Sequence, residues 1–204
     1  MLRMPARPAL ILLAGPSGSG KSRLARMSGC VSLRLDDFYA DLDEAGLPHW
    51  GGIVDWDDPG SWHGDAAATA IRTLIDEGRV EIPVYDISLS RRVGSHELTL
   101  PEPPPGQRLC LVAEGIFAPE LVQRCRDLGI DTTGVWLTRG RLLVFWLRLR
   151  RDLRDHRKPP LILIRRGWTL LLKEPAQRKA AVAKGCEALT MGQAAARIES
   201  LRRS

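Results

Sequence analysis

Gly15-Pro16-Ser17-Gly18-Ser19-Gly20-Lys21-Ser22 follows the apolar run Ala9-Leu10-Ile11-Leu12-Leu13-Ala14 and precedes a helix-competent stretch, Ser22 to Met27. A glycine, four residues and then Gly-Lys-Ser is the phosphate-loop pattern, and here it has the strand before it and the helix after it that the pattern requires. A nucleoside triphosphate carries several negative charges, so successive backbone N–H groups must converge on one concavity to hold it. Gly15, Gly18 and Gly20 permit the positive φ values and the close approach that a side chain would block. Lys21 supplies a point charge to the outer phosphates. Ser22 offers a hydroxyl to Mg²⁺, and the following helix directs its N-terminus at the phosphates.

Working outward, the chain alternates strand and helix signals. Val31-Ser32-Leu33-Arg34-Leu35 alternates apolar and polar residues and reads as a second strand. It ends in Asp36-Asp37-Phe38-Tyr39, and a carboxylate at the C-terminal edge of such a strand lies where open α/β sheets bind ligands. Ala40 to Ile53 reads as a surface loop long enough to be functional. Val54 to His63, VDWDDPGSWH, holds two tryptophans and three aspartates. Pro59 and Ser61 suit a helix entry, predicting a helix from about Ser61 to Glu77 that Gly78 ends. Glu81 to Asp86 reads as a short extended piece, because Pro83 does not fit a central strand. The proline run Pro101-Glu102-Pro103-Pro104-Pro105 is a stiff surface segment. Leu109 to Ala113 is continuously apolar, the mark of a strand buried on both faces, and ends in Glu114-Gly115. A helix over about Pro119–Asp127, a strand within Asp131–Thr138, a Leu- and Arg-rich helix over Arg141–Asp155 broken by Pro159-Pro160, and mostly helical sequence over Leu161–Ala183, interrupted near Gly167 and Pro175, follow. Glu187–Thr190 reads as the last strand and Gln193–Arg202 as the last helix. This alternation implies an α/β fold: a three-layer P-loop NTPase sandwich, its parallel sheet carrying helices on both faces.

The 204 residues suit a single domain with a full core, and 44% hydrophobic with 26% charged residues is the composition of an ordinary globular protein. No apolar run approaches the roughly 20 residues of a membrane span, and the N-terminal apolar run is needed as the first strand, so neither membrane nor secretion is expected. Cys30, Cys110, Cys125 and Cys186 are widely spaced without CxxC pairing, which predicts reduced thiols in a cytoplasmic protein. The net charge is +6, and Arg139 to Arg166 contains ten Arg or Lys against two Asp. Such a cluster suits nucleic acid or a lid over a triphosphate. Without interleaved aromatic residues the lid, over about 139–166, is the preferred reading.

Taken together, GPSGSGKS, LDDFY, DWDDPGSW, IPVYD, Ser90-Arg91, EGI and RLRRD occur in an order that resembles the uridine kinase family, over nearly the whole chain. The resemblance implies a uridine/cytidine kinase-like enzyme that uses ATP and Mg²⁺ to phosphorylate a hydroxyl of a nucleoside-like small molecule. By position, Asp36 matches the carboxylate that accepts the proton of the attacking hydroxyl, a role that fits phosphoryl transfer. The residues alone leave Asp37 as the alternative, with Asp36 capping the next turn. Tyr39 and Tyr85 match contacts to the nucleoside, Trp56 takes the place of a Phe that stacks on the base, and Asp57 that of a carboxylate on the ribose hydroxyls. Arg91 completes the implied substrate-binding set. Trp56 and Trp62 have a plainer alternative as core beneath the loop. Glu114 matches the metal-associated glutamate beside Ser22, and Arg148 and Arg151, with Lys158, match cations of the lid. Two departures stand out: the segment Tyr85-Asp86-Ile87-Ser88-Leu89-Ser90-Arg91 is one residue shorter than the family pattern, with Leu89 near the place of a base-reading His, and His156-Arg157-Lys158 replaces an Arg-Gly-Arg-like lid turn. Acceptors outside the nucleosides, pantothenate- or phosphoribulose-like, and a nucleotide-dependent nucleic-acid-binding module are the rival readings. Homo-oligomer formation is left open.

Overall fold

The structure, a computed structural model, describes residues 7–16, 18–140 and 174–203. Its centre is a five-stranded parallel sheet built from β1 (Ala9–Ala14), β2 (Val31–Arg34), β7 (Cys110–Glu114), β8 (Thr132–Thr138) and β9 (Cys186–Thr190) in the spatial order β2-β7-β1-β8-β9. Every residue of β1 and β7 is buried. That is why β1, and β7 as far as Ala113, read as unbroken apolar runs rather than as alternating ones. Leu10, Leu12 and Ala14 face a core with α2 (Gly64–Glu77) and α3 (Ala118–Asp127). Ala9, Ile11 and Leu13 face a second core with α1 (Lys21–Met27) and α5 (Met191–Arg203). A further helical stretch, α4, covers 174–183 and contains Pro175.

The connection leaving β1 runs toward β2, whereas the one leaving β7 crosses to β8 on the other side of β1. Adjacent strands whose connections diverge open a crevice at their carboxyl ends, and ligands of open α/β sheets bind there. The phosphate loop leaves β1 and Glu114 ends β7, so the sequence pattern and the topology select one place.

Several elements depart from the expectation. The second strand stops at Arg34, and Leu35–Phe38 forms a 3₁₀ turn. The helix expected from Ser61 begins at Gly64, because Trp62 is extended and bridges to Tyr39. Pro59 opens a separate 3₁₀ turn, capped by Asp58 Oδ1 accepting from Gly60 N at 2.7 Å. The short piece around Pro83 is the eight-residue strand β5 (Arg79–Asp86), paired antiparallel with an unforeseen β6 (Arg91–Thr99). This hairpin stands apart from the main sheet, so Pro83 lies on an edge, where a proline is tolerated. Two residues each of β3 (His49–Trp50) and β4 (Ile53–Val54) pair at the end of the expected loop, Val54 lying just beyond it. Among the described residues no helix is long and apolar enough to cross a membrane. The expected helix over Arg141–Asp155 and the Pro159-Pro160 break lie outside the described residues.

Candidate active site

The phosphate loop is fixed by close approach. A Cβ on Gly15 would sit 2.9 Å from Leu137 O and 3.1 Å from Ser19 Oγ, and Gly15 has φ +146°. Any side chain there would push the loop off the end of β8. Ser19 is fully buried, with its N–H donating to Pro16 O at 3.0 Å. Lys21 Nζ donates to Gly15 O at 2.8 Å and Pro16 O at 3.3 Å, holding the ammonium over the loop. Gly20 is left-handed and opens α1. Arg139 Nη1 reaches Ser19 O at 3.4 Å, and a Cβ on Gly20 would meet Met191 Cε at 2.7 Å, so the exits of β8 and β9 close the loop's outer flank.

Two strand ends bring acidic groups to this loop. Ser22 Oγ donates to Glu114 Oε1 at 2.7 Å, which joins the first turn of α1 to the end of β7. The pair supplies two hard oxygen ligands. Mg²⁺ takes one or two protein oxygens and completes its octahedron with phosphate oxygens and water, so these residues fit such an ion. Among the described residues no cluster of three or more His, Cys, Asp or Glu offers an all-protein cage.

Asp36 and Asp37 separate in the 3₁₀ turn. The Asp36 carboxylate lies against the end of β7, 3.2 Å from where a Cβ on Gly115 would be. Burial pushes its carboxyl up from the ordinary value, the Lys21 ammonium opposes this, and Glu114 adds to it. Asp37 is buried and turned the other way: it accepts from Tyr85 N at 3.4 Å and lies 3.7 Å from the Arg34 guanidinium. Burial raises its carboxyl too, against the pull of Arg34. Asp36 therefore lies at the end of β7 within the electrostatic reach of Lys21 and Glu114, while Asp37 anchors the hairpin.

Asp36 owes its position to Gly115 and Trp62, which the motifs contain without showing that they position the turn. A Cβ on Gly115 would lie 2.7 Å from Leu35 Cβ, so only glycine lets the turn approach β7 so closely. Trp62 Nε1 donates to Leu35 O at 2.8 Å from a buried position and packs on Phe117 with ring centroids 5.3 Å apart. The two tryptophans thus divide: Trp62 is core beneath the turn, whereas Trp56 is half-buried and meets Tyr39 edge-on at 5.8 Å. Tyr39 also lies 5.8 Å from both Tyr85 and Phe117, giving an aromatic wall next to Asp36. Both phenols are held internally. Tyr39 Oη donates to Trp56 O at 3.2 Å and Tyr85 Oη to Ala40 O at 2.9 Å. Burial raises both, Tyr39 well beyond and Tyr85 to about 12.

Asp57 is exposed, its N–H donating to Asp55 Oδ1 at 3.1 Å. Arg91 is exposed opposite Asp86 in the hairpin. Arg92 N donates to Asp41 Oδ1 at 2.6 Å and Leu42 N to Ser90 O at 2.9 Å, so the hairpin tip docks on the segment after Tyr39. Leu89, at the tip, is 57% exposed, which makes it a surface residue rather than a filled core position. Ser17, Arg148, Arg151 and Lys158, and the expected lid beyond Gly140, lie outside the described residues.

The strand order, the loop and the crevice define an α/β P-loop nucleoside-triphosphate fold. Comparison with known proteins agrees at that level. No protein-family model matches the sequence. Among solved structures, a candidate fructose transport system kinase from Silicibacter sp. TM1040 aligns with a TM-score of 0.61 at 22% identity, over 93% of this chain and 91% of that one. The YGR205w protein aligns with a TM-score of 0.51 at 17% identity, over 82% and 78%. Among curated proteins, inorganic pyrophosphatase TTM2 of Arabidopsis thaliana is 33% identical over 132 residues, 61% of this chain. TTM1 of the same plant is 30% identical over 132 residues. The match spans 18% of the length of each of these two relatives.

Proposed function

We propose that the chain is an ATP- and Mg²⁺-dependent kinase that transfers a phosphoryl group to a hydroxyl of a small, nucleoside-like molecule. The observation that carries this reading is the position of Asp36, half-buried against Gly115 directly after Glu114, held there through Leu35 by Gly115 and Trp62, and within the electrostatic reach of the Lys21 ammonium. A nucleotide switch has no need of a second carboxylate beside the phosphate cation; a kinase needs one to accept the hydroxyl proton. Bound ATP with Mg²⁺ would supply the transferred group and neutralise its oxygens. Lys21 and the loop amides would hold the phosphates, and Ser22 and Glu114 would hold the metal. The elevated Asp36 carboxyl suits a base near neutral pH better than an ordinary aspartate does. Arg148 and Arg151 fill the lid role in this reading, which rests for them on the family resemblance.

The acceptor is the finer part of the proposal. Tyr39 and Trp56, both half-buried and set edge-to-face beside Asp36, offer ring surface to an aromatic base, which supports a nucleoside of the uridine or cytidine type. A second reading keeps the chemistry and changes the acceptor to a sugar or another small alcohol of the pantothenate or phosphoribulose kind. It is favoured by the exposed Leu89 at the hairpin tip, by the two phenols bonded to backbone carbonyls, and by the name of the Silicibacter neighbour.

The test is a phosphate-transfer assay with ATP and Mg²⁺ over nucleosides, sugars and pantothenate, read by mass spectrometry. A phosphorylated nucleoside supports the first reading, and a phosphorylated sugar or pantothenate the second. Because the curated relatives are named inorganic pyrophosphatases, pyrophosphate without acceptor belongs in the panel. Its hydrolysis with no transfer to any alcohol would overturn the kinase proposal. So would tight, salt-dependent binding of nucleic acid with no transfer.

A further inference from the structure

Two cysteines meet at the edge of the sheet opposite the phosphate loop. Val31 of β2 is registered with Leu111 of β7, so the residues one step earlier, Cys30 and Cys110, are neighbours across the same ladder. Neighbouring strands lie about 4.8 Å apart, inside the Cα separation that a disulfide bridges. Both side chains belong to one face. Cys110 sits in the core formed with α1 and α5, and Cys30 packs against that same cluster. Cys30 directly precedes β2, with its N–H donating to Ser28 Oγ at 3.3 Å and its thiol to Ser28 O at 3.7 Å. Cys30 is partly exposed, whereas Cys110, Cys125 and Cys186 are buried.

We infer that Cys30 and Cys110 form a redox-modification site: a peroxide oxidises Cys30, and Cys110 resolves it to an intramolecular disulfide.

The environment gives the two sulfurs different roles. The neighbouring Cys110 thiol favours the Cys30 thiolate. Burial opposes this, Ser28 and the Arg202 guanidinium add to it, and Glu199 works weakly against it. The same proximity to Cys30, with burial, pushes the Cys110 thiol well up. Arg202 is fixed where it acts, donating to Ser28 O at 2.9 Å and to Gln107 Oε1 at 2.7 Å. A thiolate is the nucleophile toward peroxide, and an accessible one beside a resolving thiol is the usual arrangement of a redox-sensitive pair. In the first step the Cys30 thiolate attacks one peroxide oxygen. An S–O bond forms, the O–O bond breaks, and hydroxide leaves and is protonated to water. In the second step the Cys110 sulfur loses its proton and attacks the Cys30 sulfenic sulfur. The S–S bond forms, the S–O bond breaks, and a second water leaves. Two thiols are oxidised by two electrons and one peroxide is reduced.

By contrast, Cys125 and Cys186 are held in the protonated form by burial, to about 11 each, and provide an internal control. The full chain is treated with hydrogen peroxide under native conditions, its free thiols are alkylated, and its peptides are mapped by mass spectrometry. The expected product is one Cys30–Cys110 linked peptide lighter by two hydrogens and reversed by dithiothreitol, with Cys125 and Cys186 alkylated. Cys30→Ser abolishes the link. Cys110→Ser leaves Cys30 as a sulfenic acid that dimedone traps, and if that variant does not fold, the Cys30→Ser result decides. Cys30 advancing to sulfinic acid in the unsubstituted chain without a link would overturn the inference. A link through Cys125 or Cys186, a link between two chains, or no oxidation at Cys30 would do so as well.

Discussion

The two sides of the candidate site are built in different ways. The phosphate side rests on β1 and β7, whose residues are all buried and paired on both flanks, so Gly15, Ser19 and Glu114 are fixed by the core itself. The acceptor side rests on a 3₁₀ turn, two strands of two residues and a hairpin outside the main sheet, which docks through Ile82 in the core and through hydrogen bonds such as Arg92 N to Asp41 and Tyr85 Oη to Ala40 O. The chemistry common to nucleotide-using enzymes sits where the fold cannot yield. In the proposed reading, recognition of a particular acceptor falls to the side where a few side chains can change without disturbing the sheet.

Asp36 lies on the seam between the two sides and carries the largest expected effect. Asp36→Asn should lower kcat by about 10²–10⁴, with ATP affinity unchanged by equilibrium titration. Asp37→Asn should change kcat by less than about tenfold, because its carboxylate holds the hairpin rather than facing Lys21. The reverse pattern would exchange the two roles. Stability should move the other way from activity. Burial raises the Asp36 carboxyl, so the folded state binds its proton more tightly than the unfolded chain does. Stability from this group is therefore present below the ordinary carboxylate range and is lost as pH rises through the raised folded value. Removing the charge at neutral pH should raise Tm and flatten the pH slope, measured by thermal melts of the two proteins across the acid range. Next in size is Lys21→Ala, which should cost about 10²–10³ in kcat through loss of a preorganised cation, and should make burial of Asp36 more costly by removing its counter-charge.

The same contrast explains what the sequence made legible. β1 and β7 were readable because strands buried on both faces must be apolar throughout, and the phosphate loop because its glycines and lysine each answer a geometric need. β6 was not readable: Arg91–Thr99 is almost wholly exposed and polar, and is a strand only through its pairing with β5. The choice between Asp36 and Asp37 depended on the 3₁₀ turn. In such a turn successive residues are rotated by about a third of a circle, so adjacent aspartates point into different surroundings. Nothing local in LDDFY announces that turn. The partners of the Tyr39 and Tyr85 hydroxyls are backbone carbonyls 17 and 45 residues away, which no motif encodes. Trp62 was legible as an aromatic in DWDDPGSW but not as the donor to Leu35 O, for the same reason.

That donor gives a smaller and more local test. Trp62→Phe keeps most of the packing on Phe117 but leaves Leu35 O without its buried partner, and should cost about 1–3 kcal/mol in chemical denaturation. Because Leu35 precedes Asp36, kcat should fall more than the KM for ATP rises. A loss of stability with kcat intact would mean that the turn holds Asp36 without the indole, and would shift its positioning to Gly115 alone.

The smallest expected effect separates packing from recognition on the acceptor side. Tyr85→Phe removes the hydroxyl that donates to Ala40 O and leaves the ring against Tyr39. Stability should fall by about 0.5–1.5 kcal/mol, and the acceptor KM should stay within about twofold, since the phenol already has its partner within the protein. A tenfold rise in acceptor KM with Tm unchanged would show that the hydroxyl turns to the substrate on binding. The loose half of the site would then reorganise around its ligand, and the aromatic wall would describe only the free state.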